Sequence, residues 1–421
     1  MKVFKFGGAS ISNLERIKAV GEILLQYPNE KILIVVSAMG KTTNALEKVT
    51  EAFFEGRQEE ALALFIGIKQ QHLTLSKYLV YLRWQETEKA LKEFFTEVEW
   101  LLHDKPVRGY DYYYDQVVCI GEMLSSTLLS NYLAEINIKN AWVDVRDIIR
   151  TDNNFRNGTV DWDTTAMHIK DQVSPLFLEN NIVVTQGFIG ATDENESTTL
   201  GREGSDFSAA IFANILDAEE VVIWKDVEAV MNADPSKFPE AVKMPELSFS
   251  EVIEMAYYGA QVIHPKTIKP LENKNIPLLV KSFLQPTLPG TRISSTRVKN
   301  LPPIIVIKEK QVLIKFQSKD FSFVSGQPVE FLHDIMEHLH LDSSLRQHTA
   351  ISLLCCFDDT DKLALLAEKA GEFFDVEMLR GLRLITIRHY TEAEIERFTD
   401  GEQIILSQKT KETAQFLIAE N

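Results

Sequence analysis

The sequence predicts an α/β fold, in which a mostly parallel β-sheet flanked by helices is followed by two small α+β units of βαββαβ type. Up to about residue 280, short apolar runs alternate with helical patterns, as in parallel sheets that helices cover on both faces. Proline and glycine then cluster between Pro289 and Pro303, where the helical pattern stops. Beyond this boundary the strand and helix patterns are shorter, which is typical of βαββαβ units.

The predicted first domain covers residues 1–295 and contains a helical insertion at about 44–104, where no strand pattern occurs. Its strands are expected at Val3–Phe6, Ile32–Ser37, Ala141–Asp144, Ile182–Gln186, Val221–Lys225 and Pro277–Lys281. The second region covers 303–421, with strands expected at Val312–Gln317, Ile351–Phe357, Leu384–Ile387 and Gln403–Leu406. Its helices are expected at Val329–Leu339, Asp361–Phe373, Ala393–Phe398 and Lys411–Ala419.

The composition, with 45% hydrophobic and 25% charged residues, is that of a globular protein. A net charge of −17 argues against nucleic acid or an anionic membrane as partner, so a polyanionic substrate would need local cations. No apolar run approaches membrane-spanning length, and no signal-peptide pattern opens the chain. Cys119, Cys355 and Cys356 lack zinc-ligand spacing and are interpreted as core thiols, with vicinal redox chemistry of the last two as the alternative. These features predict a cytoplasmic enzyme.

Two glycine-containing loops carry the strongest chemical signal. Lys5-Phe6-Gly7-Gly8 ends the first predicted strand and leads towards the helical pattern that starts at Leu14. Leu200–Asp206, which reads Leu-Gly-Arg-Glu-Gly-Ser-Asp, precedes a second helical pattern. Backbone N–H groups at a helix N-terminus attract anions, and a lysine or arginine in the loop adds a cation. The two loops therefore predict two anionic ligands that face each other.

Further short motifs occur in a fixed order along the first domain. They are Val35-Val36-Ser37-Ala38-Met39-Gly40 with Thr43-Asn44, Gly121-Glu122, Gln186-Gly187-Phe188-Ile189-Gly190, Thr198-Thr199, Asp226-Val227, Asp234-Pro235, Gly259-Ala260-Gln261-Val262-Ile263-His264-Pro265 and Gly290-Thr291. Each motif alone is weak evidence, whereas the ordered series is specific. Together with the two glycine loops, the series resembles the aspartokinases of the amino-acid kinase superfamily.

The resemblance implies an amino-acid-kinase-like fold and ATP-dependent phosphorylation of the β-carboxylate of L-aspartate to 4-phospho-L-aspartate, the entry step to lysine, threonine and methionine. Mg²⁺ is expected with ATP, without a metal site of the protein's own. The implied aspartate-binding residues are Thr43, Glu122, Phe188, Arg202 and Ser205. Arg202 would bind the α-carboxylate bidentately, and Glu122 would pair with the α-amino group. The implied catalytic residues are Lys5 and Asp206, and the implied ATP-binding residues are Lys5, Gly7, Gly8, Ser37, Ala38, Lys225, Asp226, Met231 and Gln261.

Three of the prominent residues have structural alternatives. Glu122 is placed to cap or salt-bridge the helix that starts at Met123, and Arg202 is compatible with a structural ion pair. His264 is interpreted as a hydrogen-bonded structural histidine, because a carboxylate nucleophile is already ionised at neutral pH and needs no base.

Departures from the family pattern fall on the nucleotide side of the expected site. Lys225 stands where threonine is usual, and Ala229 and Met231 replace a glycine and a tyrosine. Ser236 and Gln261 occupy positions where a basic residue is common. We hypothesise that Lys225 supplies the cation missing at Gln261, and an unchanged KM for ATP in Lys225→Ala would contradict this.

The sequence of the C-terminal region gives fewer indications of its function. In the family it is a pair of ACT modules that bind an amino-acid effector and form dimer contacts, which implies a homodimer or a higher homo-oligomer. Here Glu330 replaces a usual glycine in Val329-Glu330-Phe331-Leu332. Sensing of lysine or threonine and a purely dimerising role are therefore both compatible with the sequence.

Two other functions are compatible with the same residues. One is a kinase of another small carboxylate, such as glutamate or N-acetylglutamate. An acylated substrate is disfavoured, because Arg202 is assigned to the α-carboxylate and Glu122 to a free α-amine. The other is a catalytically weakened paralogue that binds amino acids as a sensor or partner subunit, which the nucleotide-side departures motivate.

Overall fold

The computed structural model describes residues 1–319 and 327–420, which form two compact units. The first unit comprises Met1–Val230, Lys243–Ile253 and Ile263–Arg297. The second comprises Met231–Val242, Glu254–Val262 and the described part of 298–421. Met231 and Gln261, both expected to bind ATP, thus belong to the second unit.

The strands up to residue 297 are β1 (Lys2–Phe6), β2 (Ile32–Val36), β3 (Asn140–Trp142), β4 (Ile182–Gln186), β5 (Ile189–Ala191), β6 (Ser197–Thr199), β7 (Glu220–Lys225), β8 (Glu246–Ser248), β9 (Leu278–Ser282) and β10 (Thr291–Ser294). The helices are α1 (Leu14–Leu25), α2 (Thr42–Phe54), α3 (Gln58–Leu79), α4 (Trp84–His103), α5 (Tyr110–Val118), α6 (Ile120–Glu135), α7 (Trp162–His168), α8 (Gly204–Ile215), α9 (Phe249–Tyr257) and α10 (Pro265–Asn273). Helices α2 to α4 occupy the region of the predicted helical insertion.

The main sheet has the strand order β3-β4-β2-β1-β7-β9-β10-β8. The strands from β3 to β9 in this order are parallel, β10 is antiparallel to β9, and β8 is parallel to β10. The predicted mostly parallel sheet is confirmed. Strands β8 and β10 were not predicted, because three and four residues are too few to show a period.

The middle of the sheet is fully buried, as the unbroken apolar run of β2 requires. Aromatic side chains of β1 and β7 pack there, and the rings of Phe6 and Trp224 stack with centroids 5.9 Å apart. Helices α5 and α6 together form an apolar stretch, Tyr110–Glu135, long enough to cross a membrane. Because 83% of its most apolar window is buried inside the fold, we interpret it as a core helix pair.

The central strand β1 marks the point where the strand order reverses. The chain passes from β1 to β2 on one side, and the neighbour on the other side is the much later β7. Such a reversal opens a crevice at the carboxyl ends of parallel strands, where ligands bind. The sheet therefore brings Lys5 of β1, Ser37 after β2 and Lys225 of β7 to one edge.

The second unit contains β11 (Ile304–Ser318), α11 (Gln327–His338), β12 (Leu345–His348), β13 (Ser352–Asp358), α12 (Lys362–Ala370), β14 (Phe374–Arg388), α13 (Glu392–Thr399), β15 (Ile404–Lys409) and β16 (Thr413–Ala419). They form one antiparallel sheet with the order β12-β13-β11-β14-β16-β15. From β11 to β14 the chain follows the predicted βαββαβ order. Strands β11 and β14 are each 15 residues long and run through both halves of this sheet.

Two local predictions in this region were wrong. Lys411–Ala419 is not a helix, because Thr413–Ala419 forms β16 and pairs with β14. Its buried residues occupy both faces, so no alternation distinguished a strand from a short helix. In addition, β11 begins at Ile304 rather than Val312, directly after the Pro302-Pro303 pair that was interpreted as part of the boundary.

Candidate active site

A cavity of about 320 Å³ lies at the carboxyl ends of the central strands of the first unit. Its lining residues are Lys5, Gly8, Ser37, Ala38, Gly40, Thr43, Glu122, Phe188, Glu203, Gly204, Ser205, Asp206 and Lys225. Most of the predicted site residues are among them. The predicted residues outside this lining are Gly7, Arg202, Asp226, Met231 and Gln261.

The charged centre of the cavity is an ion pair between Lys5 and Asp206. The Nζ atom of Lys5 lies 2.6 Å from Oδ1 of Asp206, and both side chains are largely buried. Lys5 comes from β1 and Asp206 from the first turn of α8, so the pair joins the two glycine loops. An aspartate in a first helical turn is stabilised by the free N–H groups there. The pair holds the lysine at a defined position in the crevice.

The first glycine loop is shaped by a close backbone approach. A Cβ on Gly8 would lie 2.7 Å from the carbonyl oxygen of Ala38, which a side chain does not tolerate. The Gly8 carbonyl accepts a hydrogen bond from Gly40 N at 3.0 Å. Helix α1 begins at Leu14 as expected, and a short 3₁₀-helix at Gly8–Ile11 lies between it and the loop. The dipole of α1 therefore acts less strongly on this loop than the sequence suggested. Most of the positive charge of the loop comes from Lys5.

The second glycine loop leads directly into α8, as predicted. Gly204 begins this helix, and a Cβ there would lie 2.8 Å from Cδ2 of Phe188. Phe188 itself has a φ of 71°, so its ring is positioned by a left-handed backbone. The close contact places the ring in the cavity wall.

Glu122 is buried in the cavity wall, with 3% of its surface exposed, and its Oε2 atom has no hydrogen-bond partner. Burial raises its pKa to about 8, although hydrogen bonds from the backbone N–H groups of Ala38 and Glu122 itself and the charge of Lys5 oppose the shift. The unpartnered oxygen favours a ligand-binding role over the helix cap considered above. A cationic group entering the cavity would satisfy it.

The pKa of Glu122 predicts a pH-dependent stability. Because the folded-state pKa is raised above the unfolded value, the folded state binds the extra proton, and stability falls as pH rises from about 4.5 to about 8. Glu122→Gln should remove this loss and stabilise the protein at pH 8 by about 4 kcal/mol relative to wild type, with little difference at pH 4. Urea unfolding across this range measures the difference, and parallel pH profiles of the two proteins would contradict the prediction.

Asp115 is a buried residue that the sequence did not single out. Its carboxylate accepts hydrogen bonds from N and Oγ1 of Thr199, at 2.9 and 2.8 Å, and from N of Arg156 at 2.8 Å. Burial raises its pKa to about 6, and these hydrogen bonds lower it in part. Thr199 ends β6 immediately before the second glycine loop, so Asp115 fixes the start of that loop. The available signal in the sequence was an aspartate directly after the aromatic run Tyr110–Tyr114.

His264 has the structural role that the sequence suggested. Its Nδ1 atom accepts a hydrogen bond from Lys266 N at 3.2 Å and caps α10. Burial lowers its pKa, while the nearby Glu203 raises it. The residue is therefore a neutral helix cap rather than a base.

The predicted residues outside the cavity lining are distributed as follows. Gly7 adjoins it, because a Cβ there would lie 3.5 Å from Lys5 Nζ. Arg202 is exposed in the loop before α8, and Asp226 is exposed after the end of β7. Met231 and Gln261 belong to the second unit. The structure thus brings Lys225 into the cavity beside Lys5 and leaves Gln261 outside its lining.

The family model of the amino acid kinase family matches residues 1–282. Aspartokinase 1, chloroplastic, of Arabidopsis thaliana is 33% identical over 412 residues, which cover 91% of this chain and 70% of that protein. Lysine-sensitive aspartokinase 3 of Escherichia coli K12 is 31% identical, over 91% of this chain and 86% of that protein. The chain belongs to the aspartokinases.

The solved aspartokinase structures extend the similarity to the whole fold. Escherichia coli aspartokinase III in complex with aspartate and ADP has a TM-score of 0.82 and 26% identity, and covers 100% of this chain and 96% of that chain. The same enzyme with lysine and aspartate gives a TM-score of 0.80. Among longer relatives, this aspartokinase chain spans 32% of the bifunctional aspartokinase/homoserine dehydrogenase 1 of Zea mays.

Proposed function

We propose that this chain transfers the γ-phosphoryl group of ATP to the β-carboxylate of L-aspartate. The product is 4-phospho-L-aspartate, which opens the lysine, threonine and methionine branch of amino-acid synthesis. The observation that carries the proposal is the buried ion pair of Lys5 and Asp206, in a cavity whose wall also contains Glu122 with its unpartnered carboxylate oxygen. The membership in the aspartokinases and the complex of the Escherichia coli enzyme with aspartate and ADP support the choice of substrates.

Phosphoryl transfer requires little covalent help from these residues. An oxygen of the β-carboxylate forms the new P–O bond, while the bond between the γ-phosphorus and the bridging oxygen of ADP breaks. The protein must hold two anions in line and neutralise charge on the migrating group. Lys5 is placed for the second task, and the loop at Gly7-Gly8 for approach to the phosphates. Because the nucleophile is ionised at neutral pH, the absence of a base role for His264 fits this chemistry.

The substrate side of the proposed site consists of Glu122, Thr43, Phe188 and Ser205, all in the cavity wall. Glu122 offers its free oxygen to the α-ammonium group. Arg202 is exposed in the loop before α8, and its flexible guanidinium would close over the α-carboxylate. Ser37, Ala38 and Lys225 line the nucleotide side.

Mg²⁺ is part of the proposal as the companion of ATP. Over residues 1–319 and 327–420, no group of three or more histidine, cysteine, aspartate or glutamate side chains is arranged to hold a metal. We propose an ion bound mainly by phosphate oxygens and water, to which Asp206 would add a carboxylate oxygen. When bound, the ion would neutralise charge at the phosphates.

For the second unit we propose an amino-acid effector site and homodimer contacts. The antiparallel α+β sheet and the lysine complex of the similar Escherichia coli enzyme support this assignment. The replacement of glycine by Glu330 leaves the effector's identity to experiment.

A hydroxamate assay with ATP and aspartate or glutamate tests the proposed activity. We expect robust turnover with aspartate and at least tenfold less with glutamate. Faster turnover with glutamate would indicate a different carboxylate kinase, and aspartate binding without turnover would indicate a sensor. Either result would contradict the proposed function.

A further inference from the structure

Glu203 is a charged residue of the cavity wall to which neither the family resemblance nor the proposed reaction assigns a role. It lies in the second glycine loop between Arg202 and Gly204, directly before α8. Its side chain is half-buried, and its Oε2 atom has neither solvent nor a hydrogen-bond partner. A buried acceptor without a partner costs free energy, so its retention calls for an explanation.

The backbone of Glu203 adds a second cost. Its φ of 54° and ψ of 27° place it in the left-handed region, which is unfavourable for a residue with a Cβ. The conformation is held on both sides, because Gly204 N donates to Gly201 O and Asp206 N donates to Glu203 O, both at 3.0 Å. Glycine would adopt this backbone without strain. A strained residue at a ligand cavity suggests that the side chain has a use there.

The charge balance of the cavity indicates what that use is. The carboxylate of Asp206 already has Lys5 as partner, whereas Glu122 and Glu203 each keep one oxygen unpaired. Glu122 is more than nine-tenths buried and belongs to the same wall. Two unpaired carboxylate oxygens at one cavity favour a cation with several donors, and a primary ammonium has three.

Resting on the proposed function, we propose that Glu203 is a specificity-determining residue, whose carboxylate joins that of Glu122 in binding the α-ammonium group of the acceptor amino acid. Glu122 approaches from α6 and Glu203 from the loop before α8, so the ammonium is held from two independent elements. This pair selects acceptors that carry a free amine. A dicarboxylate of the same length without the amine leaves both oxygens unpaired and is rejected.

His264 is the competing partner for Glu203, because the two interact electrostatically. The ring, however, is a neutral helix cap through Nδ1, and it leaves Oε2 of Glu203 without a hydrogen bond. If Glu203 only interacted with His264, or only stabilised the loop, its replacement would affect the binding of all acceptors equally. Discrimination between acceptors therefore separates the two roles.

The test compares L-aspartate with succinate, which has the same two carboxylates and no amine. Kinetics with ATP and Mg²⁺, and calorimetric titration of each acceptor without ATP, are measured for wild type, Glu203→Gln and Glu203→Gly. Glu203→Gln keeps the size of the side chain and removes its charge. Glu203→Gly removes the side chain and also relieves the backbone strain, so this variant should fold. Glu272→Gln, at an exposed position of α10, is the matched control.

We expect both Glu203 variants to lose at least about tenfold in aspartate-over-succinate selectivity, with the KM for ATP within twofold of wild type and Glu272→Gln unchanged. Equal losses for both acceptors, or unchanged selectivity, would overturn the role of Glu203. If wild type binds aspartate selectively but does not phosphorylate it, the proposed reaction fails while the titrations still decide the role of Glu203.

Discussion

Replacing Lys5 with methionine should lower kcat at least about a hundredfold, which corresponds to about 2.7 kcal/mol of transition-state stabilisation. Methionine keeps most of the side-chain volume and removes the charge that lies 2.6 Å from Asp206. Charge spreads over the equatorial oxygens of the migrating phosphoryl group, so the ammonium stabilises the transition state more than the bound substrates. Aspartate affinity should change little, because Glu122 and Arg202 are assigned to it.

The control for this change is Lys2→Met, at the opposite end of the same strand, where Lys2 pairs with Glu30 and Glu220. It should leave kcat within about twofold of wild type, since the lysine lies far from the carboxyl edge of the sheet. Lys5→Met also leaves the buried carboxylate of Asp206 unpaired, which destabilises the fold. The double variant with Asp206→Asn removes that carboxylate. A folded Lys5→Met protein with near-normal kcat would disprove the phosphate role of the first glycine loop.

Arg202→Ala should raise the KM for aspartate by about thirty- to a thousandfold and leave the KM for ATP nearly unchanged. Loss of a bidentate, charge-assisted contact with a carboxylate costs on the order of 2–4 kcal/mol. Because Arg202 is exposed, part of its binding energy is offset by ordering a flexible side chain, which favours the lower half of this range.

Initial-rate kinetics at saturating ATP measure this effect. Arg292→Ala, on the exposed side of β10, provides a matched loss of an exposed arginine and should not alter aspartate KM. An aspartate KM within threefold of wild type in Arg202→Ala would show that another group binds the α-carboxylate. Lys225, already in the cavity wall, would then be the next residue to test.

The site was predictable where it depended on short segments with a local meaning. The end of β1 at Lys5 and the loop before α8 were recognisable because each combines glycines and a cation with a nearby helical pattern. The mostly parallel sheet was predictable for a similar reason, since buried parallel strands are continuous apolar runs.

The features that were missed depend on distant partners or on backbone conformation. Asp115 acquires its role from Thr199, which is 84 residues away in the chain. Glu203 stands within a recognised motif, yet its left-handed φ and its unpaired oxygen are properties of the folded loop. Strand β16 was assigned to a helix because its partner strand, rather than its own pattern, decides its conformation.

The long strands β11 and β14 have a consequence for synthesis on the ribosome. Ile304 pairs with Arg388, and Arg388 pairs with Thr413, so the N-terminal half of β11 leaves the exit tunnel long before its neighbours exist. Until then a nascent chain presents an apolar strand with both edges open, the state most prone to aggregation. Such non-local pairing also folds slowly. The yield of this protein in a host cell should therefore depend on translation speed and chaperone supply during emergence of β11 to β16.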